Sequence, residues 1–224
     1  MTETTRKRPR RRTPLTRETV LRKAVELADE AGLDGLSMRR LAKELGVEAM
    51  SLYNHVANKD DLLGGIADLV AREVEIPPDD VDWKTAIRSC ALSAHEVFRR
   101  HPWACNLSLE PERVSPASVY RGNWILRRLH EAGFPPEVTY HAFHAIDAHI
   151  LGFTLWQLQH RVAEGDMRGL VVRFTEAFPR EEYPYIYEHA EQHLAGFGHG
   201  EPGAFVLVLD LILDGLERRL HAGG

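Results

Sequence analysis

The chain has 224 residues, enough to bury a substantial core as one large or two small domains, and its 44% hydrophobic and 27% charged content are those of an ordinary globular protein. No apolar run approaches the ~20 residues of a membrane helix; the basic N-terminus leads into a polar amphipathic segment rather than a signal peptide; and two cysteines without metal-ligand spacing point to a reducing, cytoplasmic setting. The net charge of −5 conceals an asymmetry: residues 1–59 carry 13 Lys/Arg and 8 Asp/Glu and residues 60–224 the remaining 15 and 25, a basic front end on an acidic body that suits a protein offering one end to a polyanion.

Residues 1–14 include RKRPRRRTP, in which Pro9 and Pro14 oppose a helix, so a disordered basic arm is expected, able to lie along phosphates or enter a minor groove. Thr16 can cap a helix from Arg17 to Ala31, with Leu21, Ala24, Val25 and Ala28 as its buried stripe and Gly32 as its stop. From Leu36 to Lys59 the pattern is two short helices joined by a tight turn. Ser37 caps the first, whose apolar face is Leu41, Ala42 and Leu45, and Gly46 marks the reversal. The second starts near Glu48 to Met50 and keeps Leu52 and Val56 on its inner face, leaving Ser51, Tyr53, Asn54 and His55 outward. This is the spacing of a helix-turn-helix, with an outer face that is polar and aromatic and suited to DNA.

Asn58 and Asp61 resemble a capping pair for a helix over residues 59–74, and Ile76-Pro77-Pro78-Asp79-Asp80 breaks it. The expected organisation is an arm over 1–14, a DNA-binding domain over 15–75 with that helix as connector, and a body over 76–224. The body also reads as helices, over 83–100, 115–132, 136–164, 180–194 and 202–221, with 165–179 a poorly patterned connection. No strand alternation is long enough for a sheet, so the fold class is all-α. The last helix is apolar nearly all round over Phe205 to Leu213, so it must be covered on two sides, by its own domain and by a second subunit, or else wholly within the chain.

The segment LSMRRLAKELGVEAMSLYNHVANKDDLL resembles the DNA-binding domain of the tetracycline-repressor (TetR) family, through the Gly46-Val47 turn, the LYxHVxNK pattern from Leu52 to Lys59 and the Leu62-Leu63 pair. HAFHAIDAHILGFTLWQLQH and EPGAFVLVLDLILDGLERRL are similar to that family's C-terminal domain, with a looser likeness over 83–135. The resemblance implies a bacterial transcription regulator, a repressor rather than an enzyme, that meets a palindromic double-stranded operator as a homodimer joined through its last helix and the long helix before it. By the same resemblance Arg39 contacts bases, where it can pair bidentately with guanine, while Tyr53, His55 and Lys59 contact phosphates. Ala49, Met50, Ser51 and Asn54 fall on the exposed start and face of the recognition helix, the first two able to offer only apolar contact.

A regulator of this kind senses a small molecule in its body. Tyr140, Phe143, His144, Asp147 and Leu151 recur at three- and four-residue spacing, an apolar stripe carrying a His and an Asp, which suits a pocket wall with a few convergent polar groups; core packing is the plainer reading for any one of them. Trp103, Trp124 and Trp156 offer further aromatic walls. The departures from the tetracycline repressors matter. Trp156 stands where the resemblance places an acidic residue near the drug's magnesium, Cys90 and Ala94 replace polar and aromatic pocket residues, and no metal-ligating His aligns near 105–110. A more apolar effector than a tetracycline–magnesium complex is therefore expected, with no cofactor and no metal. The His189/His193 and His141/His144 pairs are not completed by any HExxH or CxxC, and no GxSxG, P-loop or dinucleotide turn places a nucleophile or cofactor, so neither a metal site nor catalysis is expected. The remaining rival is an architectural DNA-binding protein with no ligand.

Overall fold

A computed structural model describes residues 15–110, 113–163, 167–194 and 202–222. The basic arm expected over 1–14 lies outside them, as does residue 164 at the expected end of the long body helix. Eleven helices run through the described residues, which contain no strand: α1 Arg17–Ala31, α2 Met38–Leu45, α3 Ala49–Leu52, α4 Lys59–Ala71, α5 Trp83–Arg100, α6 Pro102–Ser108, α7 Pro116–Glu131, α8 Pro136–Ala163, α9 Met167–Ala177, α10 Pro184–Leu194 and α11 Pro202–Ala222. The fold is all-α. The chain forms two compact units, Met1–Ile66 and Ala67–Gly224.

In the first unit, Thr16 closes the start of α1 reciprocally. Its hydroxyl accepts from the Thr19 N–H at 3.1 Å while its own N–H donates to the Thr19 hydroxyl at 2.8 Å. Val20, Leu21, Ala24, Leu27 and Ala28 of α1 meet Leu36, Leu41, Leu52, Val56, Leu62 and Ile66 in a core from which solvent is excluded. Each large aliphatic side chain buried there is worth about 1.5–3 kcal/mol. The close approach of α4 depends on Gly65, where a Cβ would lie 2.6 Å from a Leu21 methyl.

In the second unit, α5, α8 and α11 pack on one another and α7 lies against α5 and α8. Asp82 caps α5 by accepting from the Lys84 and Thr85 N–H groups. The buried stripe of α11 is Phe205, Leu209, Leu213 and Leu216, while Leu207 and Leu211 are 63% and 60% exposed. The all-round apolar character of this helix thus divides between a face covered within the chain and a face open in it. Along the α5–α11 flank Arg88 pairs with Asp210, and Lys84 with Asp214 and Glu217.

Two helices depart from the sequence expectation. Helix α5 ends at Arg100, as expected, and Pro102 then occupies the first turn of α6, a helix absent from the sequence expectation, where a missing N–H costs nothing and the fixed φ suits helix. The segment expected as a connection over 165–179 contains α9, whose end is tied down by α10. The Tyr187 hydroxyl sits 2.7 Å from the Thr175 carbonyl and 2.5 Å from the Phe178 carbonyl, so a tertiary contact supplies what the local pattern lacks.

Candidate nucleic-acid interface and body site

The helix-turn-helix is set by its turn. Gly46 takes φ +66°, the left-handed conformation that a residue without Cβ adopts cheaply; its N–H reaches the Lys43 carbonyl at 3.1 Å and the Val47 N–H reaches Ala42 at 3.0 Å. That pair of bonds is a Schellman closure of α2. The α-helical part of the recognition segment is only Ala49–Leu52, shorter than its sequence suggests; beyond it the chain winds on through i→i+3 bonds, Tyr53 to Met50 and His55 to Leu52, before Val56 returns to the Leu52 carbonyl. Leu52 and Val56 are fully buried beneath it.

With that inner face fixed, the outward residues follow. Met50 is 74% and Tyr53 45% exposed, Asn54, Lys59 and Arg39 are exposed, and Ala49, Ser51 and His55 are half-buried. The adjacent arginines of α2 part company. Arg40 bends back to the Gly35 carbonyl at 3.3 Å and towards Glu30 at 3.8 Å, whereas Arg39 has no hydrogen-bond or ion-pair partner among the described residues. A groove of about 1010 Å³ between α1 and the turn is lined by Arg22 and Lys23 but equally by Glu26, Glu44 and Glu48. Its mixed charge makes it a poor phosphate channel.

The far end of the recognition segment is held by a network that the sequence did not reveal. Arg17, at the start of α1, grips Asp61 through two bonds of 2.6 and 2.9 Å, and the same guanidinium donates to the His55 carbonyl at 2.8 Å. Asp61 also accepts from the Ala57 N–H at 2.8 Å, and the Asn58 side chain caps the Asp61 N–H at 2.8 Å, as the capping pair led one to expect. The Arg17 bond, and behind it the Ala57 N–H, hold the Asp61 carboxyl down to about 2.

In the body unit, the ten expected pocket residues differ widely in burial. Cys90, Ala94, Trp103, Trp124 and Leu151 are buried; Phe143, Asp147 and Trp156 are half-buried; Tyr140 is 60% exposed and His144 is exposed beside it, their rings 4.5 Å apart. The buried face of α8 is centred instead on Thr139, Ala142, Ile146, His149, Ile150, Thr154 and Gln157. Trp124 lies beside a clamp in which Arg127 pairs with Asp79 and Arg128 donates to the Asp79 and Val81 carbonyls; Arg127 above all, with a smaller contribution from the Trp124 indole, lowers the Asp79 carboxyl. Phe143 and Asp147 do come together with α7. The Phe143 ring lies where a Cβ on Gly122 would be 3.5 Å away, and Asp147 accepts from Arg121 at 3.2 Å.

A second polar cluster in this core was also not expected. His95 Nδ1 lies 2.7 Å from the Thr154 hydroxyl, whose proton goes to the Ile150 carbonyl at 2.5 Å, so the imidazole is the donor of the pair. His149 Nε2 donates to the Phe205 carbonyl at 3.0 Å, and the Phe205 ring stacks on His95 at 3.9 Å and on His149 at 4.5 Å. Burial, aided by the Arg99 and His149 charges, pushes His95 down to about 4, and burial lowers His149 in spite of its carbonyl partner. Burial likewise pushes Cys90 up to about 11 and Cys105 up to about 12, so both remain thiols; neither is in a disulfide. Among the described residues no cluster of three His, Cys, Asp or Glu could hold a metal ion, and no helix is long and apolar enough to cross a membrane.

Residues 20–66 match the family model described as bacterial regulatory proteins, tetR family, and residues 76–220 match the tetracyclin repressor-like C-terminal domain. The first match ends where the first compact unit ends, and the second begins after the Ala67–Glu75 stretch of the connector. The HTH-type transcriptional repressor DrrR1 of Streptomyces coeruleorubidus is 32% identical over 91% of this chain and 77% of its own length. The class D tetracycline repressor protein of Escherichia coli is 32% identical over 93% of this chain and 92% of its own. Among solved structures, the Streptomyces coelicolor protein ActR in complex with (S)-DNPA superposes with a TM-score of 0.73 at 26% identity, over 95% of this chain and 100% of that one.

Proposed function

The chain belongs to the tetracycline-repressor family of bacterial regulatory proteins, and on that footing we propose that it represses transcription in the cytoplasm by binding a palindromic operator as a homodimer, and that a small molecule entering its body domain releases it. The observation that carries the reading is the recognition segment itself: an inner face wholly buried at Leu52 and Val56, an end pinned by Arg17 and Asp61, and Arg39, Met50, Tyr53 and Asn54 left free to meet a duplex. Phosphate contacts from Tyr53, His55 and Lys59 fix register, and Arg39 with the start of α3 reads base edges.

One such segment reads few base pairs, whereas a two-fold dimer reads two half-sites about 34–36 Å apart. The open apolar face of α11, at Leu207, Val208 and Leu211, together with the exposed Ala145, Ala148 and Gly152 of α8, supports pairing of these two helices with their copies. Release is a population shift. An effector acts only as far as it binds the DNA-competent and DNA-incompetent states differently. The replacements at Cys90, Ala94 and Trp156 favour an effector more apolar than a metal-chelated tetracycline.

Selection of bound sequences from random duplex DNA, with the winner's affinity measured at two salt concentrations, tests the reading. A palindromic winner bound by a dimer and lost on Tyr53→Ala supports it. Weak, salt-sensitive binding with no enriched sequence favours the architectural alternative.

A further inference from the structure

Two arginines of α7 are drawn into the body unit, and they are spent differently. Arg128 gives both terminal nitrogens to the Asp79 and Val81 carbonyls and so closes a loop. Arg121 has a side chain only 11% exposed, one bond of 3.2 Å from Nη2 to the Asp147 carboxylate, and a second terminal nitrogen, Nη1, that neither solvent nor any acceptor among the described residues reaches. A guanidinium carries five N–H donors in a rigid fork suited to two oxygens of one anion, so a single-stranded pairing leaves a strong buried donor unused.

Among the described residues the surroundings do not supply the missing acceptor. Cys90, fully buried on α5 and near enough to feel the Arg121 charge, stays a neutral thiol. Phe143 brings an aromatic ring against α7 at Gly122, the residue next to Arg121. Three helices thus converge around a buried cation, with a thiol on α5, a carboxylate on α8 that occupies only part of the fork, and an aromatic ring on α8 one turn before that carboxylate.

We propose that Arg121 is the anion anchor of the effector site, taking through Nη1 the carboxylate or ionised phenol oxygen of a ring-bearing apolar molecule that packs against Phe143. This assignment rests on the small-molecule reading above and names the chemistry of its ligand. Asp147 has a definite place in it: its carboxylate holds the guanidinium in position while competing with the incoming anion for it.

The probes are 8-anilino-1-naphthalenesulfonate and N-phenyl-1-naphthylamine, which share a ring system and differ by the anionic group, titrated by fluorescence against the full-length protein and its Arg121→Gln and Asp147→Asn variants. The wild type should bind the anion tighter than the amine by about tenfold or more. Arg121→Gln should erase that preference while keeping the amine's affinity, and Asp147→Asn should widen it. An ion pair with a purely structural role gives a different result, because both substitutions then weaken both probes together; that result overturns the proposal, and Asp147→Asn decides it even where Arg121→Gln fails to fold. Equal binding of the two probes overturns the anion anchor and leaves the small-molecule reading standing. Binding of neither overturns both.

Discussion

Arg17 and Asp61, 44 residues apart, are locked by a two-bond ion pair of 2.6 and 2.9 Å that also takes in the His55 carbonyl and the Ala57 N–H. The recognition segment is therefore held at its end by residues that need not touch DNA. Asp61→Asn should weaken operator binding without changing which bases are preferred, in a competition assay over single-base operator variants. It should also change the response to acid. The folded carboxyl titrates near 2 and the unfolded one near 3.9, so the pair's contribution is fully present above the unfolded value and is lost as pH falls from about 4 to about 2. Melting curves of the variant should be flatter than wild type across that window, the difference at neutral pH being about 1 kcal/mol because both side chains are a third or more exposed.

Arg39 and Arg40 should separate specificity from stability. Arg39→Ala removes a guanidinium with no partner among the described residues and should relax discrimination at one position in each half-site, by about 1–3 kcal/mol per base contact. Arg40→Ala removes a bond to Gly35 and a weak pairing with Glu30 and should lower the melting temperature slightly while the base preference stays. Sequencing of selected operators from both variants reads this out, and a shift in preference with Arg40→Ala alone would invert the assignment.

The His95 cluster predicts a second, milder acid window. His95 is buried neutral with its folded value near 4, against about 6.5 when unfolded, so the unfolded chain takes up a proton first. Stability is complete above about pH 6.5 and falls as pH drops towards 4, well before Asp61 titrates. His95→Gln, which can still donate to Thr154, should remove much of the slope between pH 6.5 and 4 in thermal melts. Retention of the full slope would place it on other groups.

The open face of α11 should be an assembly surface. Leu207→Glu with Leu211→Glu places charge on side chains that are 63% and 60% exposed in the single chain, so helix content should survive. Sedimentation should then show a monomer, and operator affinity should fall because the two half-sites are no longer tied together. A variant that remains a dimer would move the interface elsewhere.

What the sequence made legible was local. Ser37, Gly46 and the Leu52/Val56 spacing define the helix-turn-helix through caps, a left-handed turn and one apolar stripe, and each signal lies within a few residues of its effect. Contacts that span the chain left no such trace: Arg17 to Asp61, Arg88 to Asp210, and His95 to Thr154 pair side chains that are common on helix surfaces, with separations set by tertiary packing. The α8 stripe shows the same limit. A three-and-four spacing from Tyr140 to Leu151 is real, but a 28-residue helix that is apolar or aromatic on several faces has no single moment, and the core chose the face of Ile146, His149 and Ile150. Pro102 carries the reverse lesson: it follows the expected end of α5 and also opens α6, because a proline suits a first helical turn.

Communication between the effector site and the DNA-binding unit should pass through Asp68. Helix α4 is the covalent link between the two units, and within the body unit Asp68 on α4 accepts from the Ala117 N–H at 2.9 Å, at the first turn of α7. Burial works to raise the Asp68 carboxyl, but the Ala117 N–H and Arg72 outweigh it and keep the group ionised. Arg121 lies one turn further along α7, so a ligand that draws on Arg121 pulls on the helix whose start is bound to α4. Asp68→Asn keeps a weaker acceptor, and Asp68→Ala removes it. The coupling free energy, measured as the ratio of operator affinities with and without a releasing ligand, should shrink in that order while ligand affinity for the free protein changes little. Equal loss of operator affinity in both liganded and unliganded states would mean that Asp68 only stabilises the fold, and that the signal reaches α4 by another route.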